Sequence, residues 1–358
     1  MNHMTNYYVN PYVKECERIF PEQGRYGYYR FDMNENPEGL PKSFVDQVLK
    51  EITPEFLAIY PEPDRFLKKF SDFIGVGFEN VIATNGSDMA IRYLYEVFAQ
   101  TGKKVVTVSP SFEMYRVNCA ILGLQHVPVA YEKDLTVNVD NIVDAIDDDT
   151  DIVVLLNPNN PIGFAYSTQE TERVIQKAQE KNAIVIIDEA YHYFYDKTFL
   201  PLIDQYDNVV ILRTFSKLFS MAACRLGVII SNPNIIEYVR KSHLTFDVNA
   251  IALKFGERIL EQKDLVDQMI CKQKEGKNYT LDILKEKGYE TKDGLGNYIF
   301  IKTKKAPKEL EKELKEERKI LIKTFGNPML SEYIRVSTGS KNAMEFFVEN
   351  FLEDDDQQ

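Results

Sequence analysis

At 358 residues and 44% hydrophobic content, the chain is long enough for one large core with a smaller companion and needs no disulfide or metal staple to fold. A formal net charge of -12 argues against a nucleic-acid partner, because such binding depends on Lys and Arg neutralising phosphates. The four cysteines (Cys16, Cys119, Cys224, Cys271) form no CxxC pair, so no metal site or disulfide framework is expected. The opening residues lack a basic and apolar leader, and no apolar run is long enough to cross a bilayer, which predicts a cytoplasmic protein with no membrane partner.

Residues 1–45 are rich in Tyr, Pro, Gly and Asn and read as an extended arm with turns, including Asn34-Glu-Asn-Pro37. Residues 46–245 then read as a large α/β domain. Within it, Asn85-Gly-Ser-Asp88 feeds a helical stretch, Met89–Ala99. The runs Lys104–Val108, Asp151–Leu156, Ile184–Ile187, Val209–Leu212 and Leu226–Ile230 are apolar on both faces and separated by helical stretches, which predicts buried parallel strands. Ser167 and Glu170 form a capping box ahead of the Val174, Ile175 and Ala178 stripe. Residues 246–358 read as a smaller α+β domain. It begins in long charged helices (Ile235–His243 at the boundary, then Phe255–Gly288) and continues as strand Tyr298–Lys302, helix Pro307–Glu317 and strand Ile320–Thr324. The acids of Glu353–Asp356 read as a solubility tail.

Ligands of open parallel sheets bind at the carboxyl ends of the strands, and here three successive strand ends deliver unusual residues. They are Asn157-Pro-Asn-Asn160, Asp188-Glu-Ala-Tyr191 and Arg213-Thr-Phe-Ser-Lys217. A lysine amine is a nucleophile only when it can lose its proton, which makes Lys217 a candidate; its alternative is a solvated loop lysine. A buried Asp at position 188 needs a cationic partner, or else caps the next helix. The turn Gly86-Ser87-Asp88 before a helix is a ready anion site, although many helices begin so merely as a cap.

In these motifs, which run in order from Asn34-Glu-Asn-Pro37 to Tyr333-Ile-Arg-Val-Ser-Thr-Gly339, the chain resembles the class I/II aminotransferases and within them the histidinol-phosphate aminotransferase branch. The resemblance implies an α/β fold of type I for pyridoxal-5'-phosphate (PLP) enzymes, a large domain with a mostly parallel sheet plus a smaller α+β domain. It implies that Lys217 forms a Schiff base with PLP, that Asp188 faces the ring nitrogen, and that Tyr191 and Asn160 contact the ring's phenolate oxygen. Ser87, Asp88, Thr214, Ser216 and Arg225 match the phosphate site and Phe112 the aromatic that stacks on the ring. Arg335 matches the arginine for the substrate's acid group, with Asn34 and Lys323 beside the substrate. Tyr60 matches a tyrosine that reaches the phosphate of a neighbouring subunit, which implies a homodimer with shared sites. Bland alternatives stand beside these: packed turn residues for Asn160 and Tyr191, a core Phe112, and salt-bridged surface arginines for Arg225 and Arg335. The chain departs from the branch at Lys323, where an arginine is usual, at Met89, and at Ala223-Cys224.

The resulting expectation is a PLP-dependent aminotransferase acting on an amino acid donor and a small oxo-acid or phosphorylated ketone. A phospho-amino-acid decarboxylase is the alternative, because PLP stabilises a carbanion whichever bond to Cα breaks. A non-enzymatic sensor of a transcription regulator is a third reading, disfavoured because only a short arm precedes the fold.

Overall fold

The structure, a computed structural model, describes residues 7–18, 20 and 23–355. The first six residues of the expected arm and Asp356 of the acidic stretch lie outside the described residues. The strands in chain order are β1 (Tyr29–Arg30), β2 (Val81–Asn85), β3 (Lys104–Ser109), β4 (Gln125–Ala130), β5 (Thr150–Leu156), β6 (Ile184–Asp188), β7 (Val209–Thr214), β8 (Leu226–Ser231), β9 (Thr291–Asp293), β10 (Tyr298–Lys302), β11 (Ile320–Leu321) and β12 (Tyr333–Ser337).

A seven-stranded sheet in the order β2-β8-β7-β6-β5-β3-β4 forms the centre of the larger part. Its apolar runs are buried on both faces, as in Ile152–Leu156 and Val209–Leu212, because helices cover the sheet on each side. β3 to β7 pair in parallel. The run Leu226–Ile230, expected to be parallel, is antiparallel to both β7 and β2. Only residues 215–225 join it to β7, too short a connection for a crossover helix, so the chain turns back. Two strands of this sheet, β2 and β4, are not among the expected runs. β4 is an edge strand with a mostly exposed side-chain pattern and a proline, features an edge tolerates. The capping box is present as expected: the Ser167 hydroxyl accepts from the Glu170 N–H at 3.2 Å, and the Glu170 carboxylate accepts from the Ser167 N–H at 2.8 Å.

The C-terminal part holds a three-stranded antiparallel sheet, β12-β10-β9, and a separate apolar cluster that includes Leu284, Ile299, Ile334 and Phe347. Phe31 from the N-terminal segment joins this cluster, and β1 pairs in parallel with β11. The strand expected over Ile320–Thr324 is shorter than that, because the chain changes partners: Ile320–Leu321 pair with β1, and Lys323 then bridges to Arg335. The helix expected over Phe255–Gly288 is two helices, Ala250–Leu260 and Lys263–Glu286, broken where the Gln262 backbone (φ -110°, ψ 69°) leaves helical geometry. The second of them spans both clusters, with Val266 and Met269 in the larger and Leu284 in the smaller.

The acidic stretch is not a free tail. It ends the helix Lys341–Asp355; the buried Asp355 carboxylate accepts from the Lys304 and Lys305 N–H groups at 3.0 Å each, and Asp354 pairs with Arg318 at 2.9 Å. Backbone donors and an arginine compensate these acids, which is why they tolerate burial. Among the described residues, no helix is long and apolar enough to cross a membrane.

Candidate active site

The antiparallel turn of β8 brings the end of β2, the ends of β5 to β7 and the start of β8 to one edge of the sheet. A cavity of about 500 Å³ opens there. Twelve of the residues singled out above line it: Asn34, Ser87, Asp88, Phe112, Asn160, Asp188, Tyr191, Thr214, Ser216, Lys217, Arg225 and Arg335.

Lys217 follows β7 in a tight turn, in which the Ser216 N–H donates to the Thr214 hydroxyl at 3.1 Å. Its Nζ donates to the Met33 carbonyl at 3.0 Å and lies 5.8 Å from the centre of the Tyr191 ring. Burial, reinforced by the charge of Arg335, lowers the amine to about 8, against the pull of Glu35 and Asp88. A lysine so placed yields its proton far more readily than a solvated one.

Asp188 ends β6, with one carboxylate oxygen accepting from the Tyr115 hydroxyl at 2.8 Å and the other from the Ala190 N–H at 3.0 Å. Burial raises its pKa to about 6, and those two donors only partly offset it. Among the described residues no cation pairs with this carboxylate. On the opposite side of the sheet Glu189 and Arg213 form a buried ion pair at 2.9 Å that ties the end of β6 to β7. Tyr191 receives a hydrogen bond on its hydroxyl from Asn34 Nδ2 at 2.9 Å, and burial pushes its phenol to about 12.

The helix Gly86–Phe98 starts at the cavity edge, so its first free N–H groups and its dipole favour an anion there. Gly86 has φ +74°, and a Cβ on it would lie 2.5 Å from Arg225 Nη2. Gly227 is equally constrained, since its Cβ would lie 2.6 Å from the Ser87 nitrogen. Arg225, itself left-handed at φ 56°, extends Nη2 to Asp88 at 2.9 Å and Nη1 to the Ala222 carbonyl at 3.2 Å and Ser216 Oγ at 3.5 Å.

Arg335 lies on β12 with its guanidinium donating to the Asp32 carbonyl at 2.7 Å and to the Asn160 carboxamide. Its Nε is buried without a partner among the described residues, and the Tyr298 and Phe325 rings flank the guanidinium at 5.6 and 5.8 Å. Asn34 is held from two sides: its N–H donates to Ser337 Oγ at 2.8 Å, and its carbonyl accepts from Asn297 at 3.0 Å.

Two expected residues lie elsewhere. Lys323 exchanges backbone hydrogen bonds with Arg335 at 3.1 and 2.8 Å, but its side chain lines a neighbouring groove. Tyr60 is 72% exposed and stacks on Phe246 with ring centres 4.2 Å apart, away from the cavity of its own chain. Sequence reasoning left out Tyr115, the donor to Asp188, and Met33, the acceptor from Lys217. Tyr115 stands three residues after Phe112, close to a residue already singled out, whereas a backbone carbonyl carries no side-chain signal.

The model of the family "Aminotransferase class I and II" matches residues 28–351. A histidinol-phosphate aminotransferase of Clostridium novyi is 32% identical over 331 residues, covering 90% of this chain and 91% of that protein. One of Thermotoga maritima is 27% identical, covering 93% and 96%. Among solved structures, the histidinol-phosphate aminotransferase from Sinorhizobium meliloti in complex with pyridoxal-5'-phosphate superposes with a TM-score of 0.84 at 21% identity, covering 96% of each chain. With a lysine of lowered pKa, an uncompensated carboxylate and an anion cradle gathered at one sheet edge, and a family match across nearly all of the chain, this protein belongs to the class I and II aminotransferases and is a PLP-dependent enzyme of that family.

Proposed function

We propose that this chain works as a cytoplasmic homodimer that transfers an amino group between an amino acid such as glutamate and a phosphorylated ketone, the one that corresponds to histidinol phosphate. The observation that carries the reading is the convergence of Lys217, Asp188 and Arg335 on one cavity. The acceptor is inferred from the names of the relatives above.

The residues fit the cofactor. Asp188 is a buried carboxylate with two donors and no cation, which suits a protonated ring nitrogen. Ser87 at the helix start, Thr214, Ser216 and Arg225 suit a phosphate, and Phe112 at the cavity wall suits the face of a ring. PLP, when bound, supplies a sink for the electron pair released at the substrate Cα. Tyr191 and Asn160 reach the same cavity with a hydroxyl and a carboxamide for the ring's oxygen.

Lys217 Nζ is the attachment point of the cofactor and the base that takes and returns a proton at the substrate Cα. Its low basicity in a partly closed site makes it competent near neutral pH. Arg335, with a planar fork and an unpartnered Nε, holds the acidic group of the substrate, and Asn34 closes the site from the arm. Tyr60, exposed on its own chain, is proposed to reach the phosphate of the neighbouring site across the dimer.

A single-turnover assay with glutamate, histidinol phosphate, phosphoserine and phosphothreonine tests the reading by following oxo product and carbon dioxide together. Transamination predicts oxo product without carbon dioxide. Stoichiometric carbon dioxide with no oxo product from any donor would replace the aminotransferase by a phospho-amino-acid decarboxylase.

A further inference from the structure

Beside the central cavity lies a second and larger one of about 790 Å³, and Met33 and Arg335 line both. One wall is the N-terminal segment around Gln23–Met33, and the other is the helix Pro307–Glu317 with the residues that follow it. On that second wall Lys308, Lys312 and Lys315 follow at intervals of four and three residues, so they share one face of the helix, and Lys319 just past its end lines the same groove. At 1.5 Å per residue the helical part, Lys308 to Lys315, extends about 10 Å, and Lys319 and Lys323 beyond the helix end carry the row on toward Arg335.

Two features separate this row from an ordinary solvated helix face. The first is charge. The groove is lined by seven cationic side chains and three carboxylates, in a chain whose acids outnumber its bases by 55 to 43. The Asp32–Arg25 pair at 2.6 Å cancels one charge of each sign, which leaves six cationic side chains against the carboxylates of Glu311 and Glu316. The second is internal cost. Like charges at i,i+4 oppose helix formation, yet Lys308 and Lys312 are exposed neighbours of that kind with no ion-pair partner among the described residues. Glu311 and Glu316 stand at i,i+4 from Lys315 and Lys312 and offset part of that cost, and the positive groove between low-dielectric walls focuses field at its inner end, which here is Arg335.

We propose that this lysine row is a capture groove that draws substrates bearing a dianionic group, such as a phosphate monoester, to Arg335 and favours them over monoanionic amino acids. The proposal rests on the aminotransferase reading for the identity of the inner site, but the groove is assigned from its own charge and shape. It also gives Lys323 a place: the last cation before the guanidinium rather than a second clamp inside the cavity.

The test uses the holoenzyme and two variants of equal net charge. In Lys308→Glu/Lys312→Glu, kcat/KM for whichever phosphorylated donor reacts falls about tenfold or more at low ionic strength, and the gap narrows in 0.5 M salt. Lys272→Glu/Lys274→Glu, on exposed positions of the helix Lys263–Glu286, changes the same ratio less than twofold. Equal losses in both variants, or no loss in the first, overturn the groove. Calorimetric binding of inorganic pyrophosphate gives a readout without turnover: it weakens about fivefold or more in K308E/K312E and not in K272E/K274E. If no donor is transaminated by the wild type, the aminotransferase reading fails while the pyrophosphate measurement still decides the groove; unchanged binding in K308E/K312E overturns it.

Discussion

Asp188 and Lys217 are each held in a charge state that burial resists, and the consequences run in opposite directions with pH. The Asp188 pKa is raised from its ordinary 3.8 to about 6, so the folded apoprotein binds its proton more tightly than the unfolded chain. Its contribution is complete below about pH 4 and is lost as pH rises through 6, at a cost of roughly 3 kcal/mol by pH 7. A bound ring N–H should remove that loss, so denaturation of apo and holo protein at pH 4.5 and 7 should show the pH penalty in the apo form alone. Lys217 is lowered from 10.5 to about 8, so its contribution is present above pH 10.5 and lost as pH falls through 8. The rate of cofactor uptake by apoprotein should accordingly rise with pH and level off above about 8, read by absorbance. Borohydride treatment of the holoenzyme should fix the cofactor to Lys217, and a labelled Lys217→Ala protein would remove that assignment. Tyr115→Phe deletes one of two donors to Asp188 and should cost about 1.5 to 3 kcal/mol of cofactor binding with the fold intact, whereas Asp188→Asn should lose activity by orders of magnitude.

At the scale of elements, the site depends on how β6, β7 and β8 end. Glu189 and Arg213 are nearly unexposed, and Glu189 also accepts from Thr198 at 2.9 Å and from the Phe199 N–H at 2.6 Å, so the pair anchors the turn that carries Asp188 and Tyr191. Removing one partner leaves the other charge buried and unpaired. Arg213→Met should therefore destabilise the apoprotein by about 3 to 5 kcal/mol in urea titration, and Glu189→Met/Arg213→Met by less. If the double variant is as damaged as the sum of the two singles, the pair is not coupled.

At the scale of the whole molecule, the role proposed for Tyr60 makes each site shared between two chains. It is exposed and stacked on Phe246, in a region that also exposes Leu57 and Ile59. If the partner's phosphate is its target, Tyr60→Phe should weaken cofactor retention without dissociating the dimer. Mixed dimers of Tyr60→Phe with Lys217→Ala subunits should place both lesions in one site and leave the other intact, recovering about half of the wild-type activity per dimer. A fully active monomer by light scattering would rule out the shared site.

The buried strands β3, β5, β6 and β7 were legible in the sequence because a two-faced apolar run has few other uses; the motifs also singled out Lys217, Asp188 and Arg335, and the fold brings these three to one cavity. Edge strand β4 was not, since half of its surface faces solvent and its residues need not be apolar. The direction of β8 was undetermined as well: apolar content does not encode orientation, and only the short connection after β7 sets it. Tertiary structure alone decided that the acids ending the last helix are buried against backbone N–H groups and Arg318, because a run of like charges reads as solvated until its partners, some 35 to 50 residues away in the chain, are folded against it. It also decided which groups set the acidity of the site. Tyr115 and Asn34 reach Asp188 and Tyr191, and Arg335 acts on Lys217, from distant segments, and the pKa of a buried group depends on the distance and desolvation that only folding creates.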